Sequence, residues 1–269
     1  MKKILAIVLT LALCIGLLAG CGGDTEEKKI TVAASPTPHA EILQVAADVL
    51  AAEGWTLEIT QYNDYVVPNT IVDDGEIDAN YFQHTPYLDT FNAENGTKLV
   101  SVASVHYEPF GIYAGTQLTI ADLVEGDKIA IPNDGSNRAR GLMLLEQEGL
   151  IKLKEGVGVE ATVLDIVENP LNLEIVEMEA AQIAGVRDSV ALAVINGNYA
   201  LQNGLNAATD ALAVEDAESI AAVTYANILV VKEGNEQTEK TKALKAALLS
   251  ENVKSFINET YNGAVVPIF

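Results

Sequence analysis

Cysteine is nearly absent from this chain, with only Cys14 and Cys21 in 269 residues. A disulfide framework, a Cys-rich zinc site and a Cys-x-x-Cys redox pair are therefore excluded. Arginine is almost as scarce: Arg138, Arg140 and Arg187 are the only three, and no Lys or Arg interrupts residues 30–97. Lys and Arg total 16 against 38 Asp and Glu, for a formal charge of −22. A body this acidic repels phosphate backbones, so nucleic acid is not expected as a partner. The acidic residues are scattered and form no Asp-x-Asp-x-Asp-Gly calcium loop. A Gly-x-Ser-x-Gly elbow, a P-loop and a His-Glu-x-x-His pair are also missing. The three histidines, His39, His84 and His106, match no common zinc spacing. The expectation is therefore no cofactor and no metal.

Long apolar runs are confined to the N terminus. Lys2 and Lys3 precede an uncharged stretch from Ile4 to Leu18, too short for a comfortable membrane span and typical of an export signal. It ends in Leu18-Ala19-Gly20-Cys21, which resembles the lipobox of bacterial lipoproteins. That resemblance implies a signal peptide over residues 1–20, removed before Cys21. It also implies lipid (palmitate among the chains) on the Cys21 sulfur and a membrane anchor on the extracytoplasmic face. Residues 21–29 are polar and charged and read as a flexible tether. A lipid-bearing Cys21 forms no disulfide, so the fold beyond it must rest on core burial.

From Ile30 onward, strand and helix patterns alternate. Ile30 to Ala34 reads as a buried strand, Ile42 to Leu50 as a helix closed by Gly54, and Leu57 to Tyr62 as a second strand, together a βαβ unit. Strand patterns recur at Lys98–His106, Lys128–Ile131, Leu173–Glu177, Ala191–Ile195 and Ile228–Val231. Helices are expected near Tyr87–Glu94, Asn137–Glu148 and Thr238–Tyr261. The pattern is α/β with mostly parallel sheets. It starts twice, which suggests two lobes: residues 30–111 open the first, 112–222 form the second, and 223–269 complete the first. Open α/β sheets bind ligands beyond the carboxyl ends of their strands, so the expected site is the cleft between the lobes.

The densest chemistry lies between Ile77 and Gly111, where Tyr81, Phe82, His84 and His106 fall with no cation before Lys98. Such a cluster suits a small, partly apolar molecule. It also leaves open a plain aromatic core in a structural or adhesive lipoprotein. A third possibility is a cell-surface hydrolase using His84 with Asp78 or Glu108 as an acid–base pair. Arg140 follows Ile131-Pro132-Asn133-Asp134 near a helix start, where guanidinium and backbone N–H groups both favour an anion. The alternative is a surface Arg paired with Glu146 or Asp134. Asn196 ends one buried strand and Asn227 begins another; each amide can serve a zwitterion or merely cap a turn. Taken together, Arg140, Asn196 and Asn227 sketch the polar end of an amino-acid site, and the aromatic cluster its side-chain end. A thioether would suit that wall, because sulfur packs well against ring edges.

Segments along the whole mature chain carry a closer likeness. Ser35-Pro36-Thr37-Pro38-His39-Ala40, Asn63 to Asn69, Asp78 to Tyr87, Ile131 to Asp134, Asp165 to Pro170, Ala193 to Ala200 and Gly263 to Pro267 appear in the order of the NlpA/MetQ family of methionine-binding lipoproteins, which the chain resembles. The resemblance implies a two-lobed type II periplasmic-binding-protein fold with two crossover strands. It implies capture of L-methionine or a close relative for an ABC importer, whose permease and ATPase would be the partners, and no enzymatic reaction. It further implies that Arg140 meets the ligand carboxylate, that Asn196 and Asn227 hold its polar end, and that Tyr65, Tyr81, Phe82, His84 and His106 form the wall. One departure lies beside the arginine, where Asn133-Asp134-Gly135-Ser136-Asn137 replaces the family's usual Asn-Asp-Pro-Thr-Asn.

Overall fold

The computed structural model describes residues 28–215 and 221–269. The expected signal (1–20), Cys21 and the tether up to residue 27 lie outside the described residues. Within them, no helix is long and apolar enough to cross a membrane.

The strands are β1 (Lys29–Ala34), β2 (Thr56–Gln61), β3 (Ala79–His84), β4 (Leu99–Tyr107), β5 (Gly111–Ala114), β6 (Lys128–Pro132), β7 (Lys152–Leu153), β8 (Ile166–Glu168), β9 (Glu174–Met178), β10 (Leu192–Ile195), β11 (Ala211–Val214), β12 (Asn227–Lys232) and β13 (Val266–Pro267). One sheet has the order β13-β4-β12-β3-β1-β2, the other β11-β5-β10-β6-β9, and β7 and β8 form a small separate pair. The helices used below are α1 (Glu41–Ala52), α2 (Val67–Asp73), α3 (Thr85–Asn95), α4 (Gly135–Gln147), α5 (Gly197–Gln202), α6 (Glu239–Leu248) and α7 (Glu251–Tyr261).

The sheets are mixed rather than mostly parallel. β1 runs parallel to β2 and β3, and β6 parallel to β9 and β10, as βαβ connections require. β12, however, is antiparallel to both β3 and β4, and β5 is antiparallel to both β10 and β11. The cause is the path of the chain, which passes from one sheet to the other between β4 and β5 and returns between β11 and β12. A strand arriving from the facing lobe comes in at the cleft, where the parallel strands end, and must run against them.

Each sheet has its own core. In α1 the residues Ile42, Leu43, Ala46 and Leu50 are buried at helical spacing and pack on Ile30, Val32 and Tyr81 of the first sheet with Leu248, Val253 and Ile257 of α6 and α7. Burying each Leu or Ile fully is worth about 1.5–3 kcal/mol. Gly54, at φ +80°, turns the chain out of α1. In the second sheet, Ile129, Ile131, Leu142, Leu145 and Val194 form the equivalent core. The helix expected over Thr238–Tyr261 is two helices. Ser250 is extended (φ −81°, ψ 156°), and its hydroxyl accepts from the Val253 N–H at 3.4 Å, so it starts α7 as an N-cap. Strands β8, β11 and β13 lie in stretches where the sequence pattern suggested none; the last two are edge strands completed by pairing.

Candidate functional site

Strand register gathers residues that lie far apart in the chain. Asn227, the first residue of β12, is paired with His84 at the end of β3 on one side and with His106 of β4 on the other. His39 stands in the turn between β1 and α1, and its Nε2 reaches Asn227 Oδ1 at 2.9 Å. From the second sheet, β10 ends beside Gly111 and hands the chain to Asn196 and then α5. The carboxyl ends of the two sheets thus enclose a narrow cavity of ≈ 20 Å³. That is room for little more than one water, so a larger ligand is admitted only when the walls part.

Among the expected site residues, Arg140, Asn196, Asn227, Tyr65, Phe82 and His84 line this cavity. Tyr81 and His106 do not line it. Neighbouring residues of a strand face opposite sides. Phe82 and His84 therefore turn toward the cavity, whereas Tyr81 packs with α1 in the core of the first lobe. Its hydroxyl meets His106 Nδ1 in a short hydrogen bond. The sequence reading placed Tyr81 and Phe82 together on the wall, which the period of a β-strand forbids.

His84 is held in one tautomer. Its Nδ1 accepts from the Tyr87 N–H at 3.2 Å, so Nε2 carries the proton and donates to Asn137 Oδ1 at 3.1 Å. Asn137 Oδ1 also accepts from Asn196 Nδ2 at 2.9 Å. Its own amide donates to Asp134, which caps α4 by accepting from the Asn137 N–H at 2.9 Å. Asn137 therefore ties a histidine of one lobe to an asparagine of the other. Burial, and then the charge of Arg140, lower the His84 pKa to about 3, so the ring is neutral.

Arg140 lies in the second turn of α4 and is 5% exposed. It pairs with neither Glu146 nor Asp134. Its Nε donates to Glu215 Oε2 at 2.8 Å, and its Nη2 donates to the Glu108 carbonyl at 3.0 Å and, more closely, to Glu215 Oε1. The guanidinium lies 4.8 Å from the Phe110 ring and 4.3 Å from the Tyr225 ring. Burial opposes the charge, but Glu215 more than restores it and the pKa is raised. Among the described residues no acceptor meets Nη1, which leaves that edge of the fork for an anion.

Behind the polar end, His39, His106 and Glu108 meet in a buried group, of which Glu108 lines the cavity. Asn227 Oδ1 can only accept, so His39 carries its proton on Nε2 and takes the Ser35 hydroxyl proton at Nδ1, 2.6 Å away. The Tyr81 hydroxyl likewise donates to His106 Nδ1, so His106 Nε2 donates to Glu108 Oε1 at 2.7 Å. His39 Nε2 stands 3.4 Å from the same oxygen. Burial lowers His39 to about 4 and His106 to about 3. Burial also raises the Glu108 pKa, with His39, Arg140 and the Asn198 backbone amide drawing it back down. His84, the third histidine, stands outside this group. Asp78 also stands apart, bonded to Thr31 and Lys240.

Two cavity groups have no partner among the described residues: Asn196 Oδ1, an acceptor, and Asn198 Nδ2, a donor. Buried polar atoms seldom go unpaired, and one of each kind on one wall matches the two ends of a zwitterion. The opposite wall is aromatic. Tyr65 has Phe82 at 5.6 Å, Tyr87 at 5.6 Å and Tyr199 at 5.0 Å between ring centroids. Two bonds join the lobes over this wall: Tyr65 OH donates to Asn198 Oδ1 at 2.6 Å, and Tyr199 OH to the Asn63 carbonyl at 2.9 Å. The sequence reading missed His39, Asn137, Asn198, Tyr87 and Glu215 as site residues, and gave Glu108 only as an acid–base option. Asn137 and Asn198 stood within two or three residues of Arg140 and Asn196, and that spacing was the one available signal.

The family model described as NlpA lipoprotein matches residues 30–269. The methionine-binding lipoprotein MetQ of Bacillus subtilis is 41% identical over 276 residues, covering 100% of this chain and 99% of the relative. A solved lipoprotein from Ruminococcus gnavus is 57% identical with a TM-score of 0.89, over 90% of this chain and 100% of the other. A nutrient-binding protein from Burkholderia cenocepacia, solved bound to methionine, is 41% identical with a TM-score of 0.85, over 89% and 100%. An ABC transporter periplasmic substrate-binding protein from Coxiella burnetii is 37% identical with a TM-score of 0.83, over 89% and 100%.

Proposed function

Because this chain belongs to the NlpA lipoprotein family, we propose that it is an extracytoplasmic solute-binding lipoprotein that captures L-methionine and delivers it to the permease of an ABC importer. The observation that carries this reading is the cavity itself. Its polar end offers Arg140 together with the unpartnered Asn196 Oδ1 and Asn198 Nδ2. Its other end is walled by Tyr65, Phe82 and Tyr87. A thioether side chain suits ring edges, and no described residue on that wall would neutralise a charged one.

In this reading the carboxylate takes the free edge of Arg140 and Asn198 Nδ2, and the ammonium takes Asn196 Oδ1. Asn227 acts through His39, whose proton it fixes. Tyr81 and His106 back the wall. Residues 30–111 and 223–269 make one lobe, and residues 112–222 the other. The lobes part to admit the ligand and close on it, so binding and a shift of population are the whole mechanism, with no bond made or broken. Cys21 carries the lipid that keeps the protein at the extracytoplasmic face of the cell membrane.

Isothermal titration of the mature protein, unfolded and refolded to strip any carried ligand, tests this directly. L-methionine should bind with micromolar or tighter affinity, and Arg140→Ala should weaken it by at least about tenfold. D-methionine, methionine sulfoxide and Gly-Met are titrated alongside. No heat with any of the four would sink the proposal.

A further inference from the structure

The cavity holds one acidic side chain among its lining residues, Glu108, and one basic side chain, Arg140. The Arg140 charge is already answered by Glu215. Glu108 has no such match: its only ion-pair partners among the described residues are His39 and His106, both neutral rings. The donor that reaches its carboxylate is the His106 Nε2–H at 2.7 Å, and His39 Nε2 stands 3.4 Å from the same oxygen. That pattern suits an anion. The Arg140 charge offsets its burial only in part, so the buried Glu108 carboxylate still wants a nearer counter-charge, and the low dielectric makes the shortfall costly. Its Oε2 lies against Gly197, within 2.7 Å of where a Cβ would stand, at the junction with Asn196. The same cavity is lined by Asn196, whose buried Oδ1 acceptor has no partner among the described residues.

We infer that Glu108 receives the ammonium group of the ligand, with Asn196 Oδ1 as its neutral co-acceptor, so that the site selects free amino acids carrying a protonated amine. Arg140 and Glu108 then answer the two ends of a zwitterion with opposite full charges. The Arg140 Nη2 bond to the Glu108 backbone carbonyl, 3.0 Å, keeps the two residues adjacent on the cavity wall. His39 and His106 are positioning residues, which orient the carboxylate without touching the ligand. The des-amino analogue leaves Glu108 unanswered, and an N-acyl analogue replaces a cation with a neutral amide. Both should be rejected.

This rests on the amino-acid-binding reading above, and one set of titrations separates the two. L-methionine, N-acetyl-L-methionine and 4-(methylsulfanyl)butanoate are titrated into the wild-type protein and into Glu108→Gln. Wild type should favour L-methionine over both analogues by about ten- to hundredfold, the worth of a hydrogen bond to a charged group. Glu108→Gln should lose most of that preference, chiefly by weakening L-methionine, while the des-amino analogue changes little. Equal weakening of all three ligands, or an unchanged preference in a folded variant, overturns the inference and leaves methionine binding standing. Should wild type bind another free amino acid instead, the methionine proposal fails, and the same comparison with that amino acid and its des-amino analogue decides on Glu108. If wild type binds no free amino acid, both fall. Melting of ligand-free Glu108→Gln checks its fold. If it does not fold, Glu108→Asp, which withdraws the charge by one methylene, must show the same selective loss.

Discussion

Glu215→Gln should lower the stability of the ligand-free protein far more than an ordinary lost salt bridge. Glu215 Oε2 accepts from Arg140 Nε at 2.8 Å, and its Oε1 also takes the Tyr107 hydroxyl at 2.6 Å and the Phe110 N–H at 3.0 Å. Arg140 and Glu215 side chains are 5% and 9% exposed, so the guanidinium left behind has little water to turn to. Breaking one partner of a buried pair costs about 3–5 kcal/mol, against about 0–1 kcal/mol for an exposed pair. For a chain of this size each kcal/mol moves the melting temperature by roughly 2–4 °C. The expected loss is therefore about 6–20 °C, measured by calorimetry at neutral pH. Lys128 and Glu174, 3.4 Å apart and 53% and 57% exposed, supply the control. Lys128→Met should shift the midpoint by no more than about 4 °C. A Glu215→Gln shift no larger than that control would refute the reasoning, since it would mean the pair is solvated or its charge answered elsewhere. Replacing both partners, as in Arg140→Met with Glu215→Met, should recover part of the loss, because no unpaired charge then remains.

Further outcomes follow from the same geometry. Gly197→Ala would set a Cβ 2.6 Å from Glu108 Cβ, so it should cost about 1–3 kcal/mol in a thermal melt and weaken ligand binding; a neutral result would mean α5 can withdraw without consequence. Tyr65→Phe removes the bond to Asn198 Oδ1 between the lobes and should weaken methionine roughly two- to tenfold in titration, with little change in the melting of the free protein. Acidification should destabilise the fold. His39, His84 and His106 have folded pKa values of about 4, 3 and 3, below the ordinary 6.5. Their contribution is therefore complete above that value and is lost as pH falls from there toward the folded values. The raised Glu108 carboxyl works the other way and offsets part of the loss. Melting temperatures that hold steady from pH 7.5 to about pH 4.5 would contradict this.

The sequence read the alternation of elements well because apolar spacing is a local property. Ile42, Leu43 and Leu50 mark α1, and Gly54 its end, whatever the rest of the chain does. Strand direction is not local. β12 and β5 run against their neighbours because the chain arrives from the other lobe, and nothing within Ile228–Val231 or Ile112–Ala114 encodes that. The site divided along the same line. Arg140 stood out as a rare arginine near a helix start, Asn196 and Asn227 as amides beside buried strands, and each reaches the cavity. Tyr81 was misplaced by composition: a cluster of rings looked like one wall, where the alternation of β3 separates it from Phe82 and His84. Glu215 is 75 residues from the arginine it pairs with, in a stretch with no motif, and only the folded chain brings them together.

Both passages between the lobes carry a glutamate to the same arginine. Glu108 follows β4 on the way out, and Glu215 follows β11 on the way back. Arg140 holds the backbone of the first and the carboxylate of the second. If the cavity binds ligand as proposed, the hinge and the recognition site are built from the same bonds. In a clamp whose jaws and pivot are separate, grip can be tightened without stiffening the swing. Here a change that strengthens the hold on Arg140 also alters how easily the two passages bend. On the proposed reading affinity and rate of release are mechanically linked, and substitutions at Glu108, Arg140 or Glu215 should shift the balance of open and closed protein before any ligand is added.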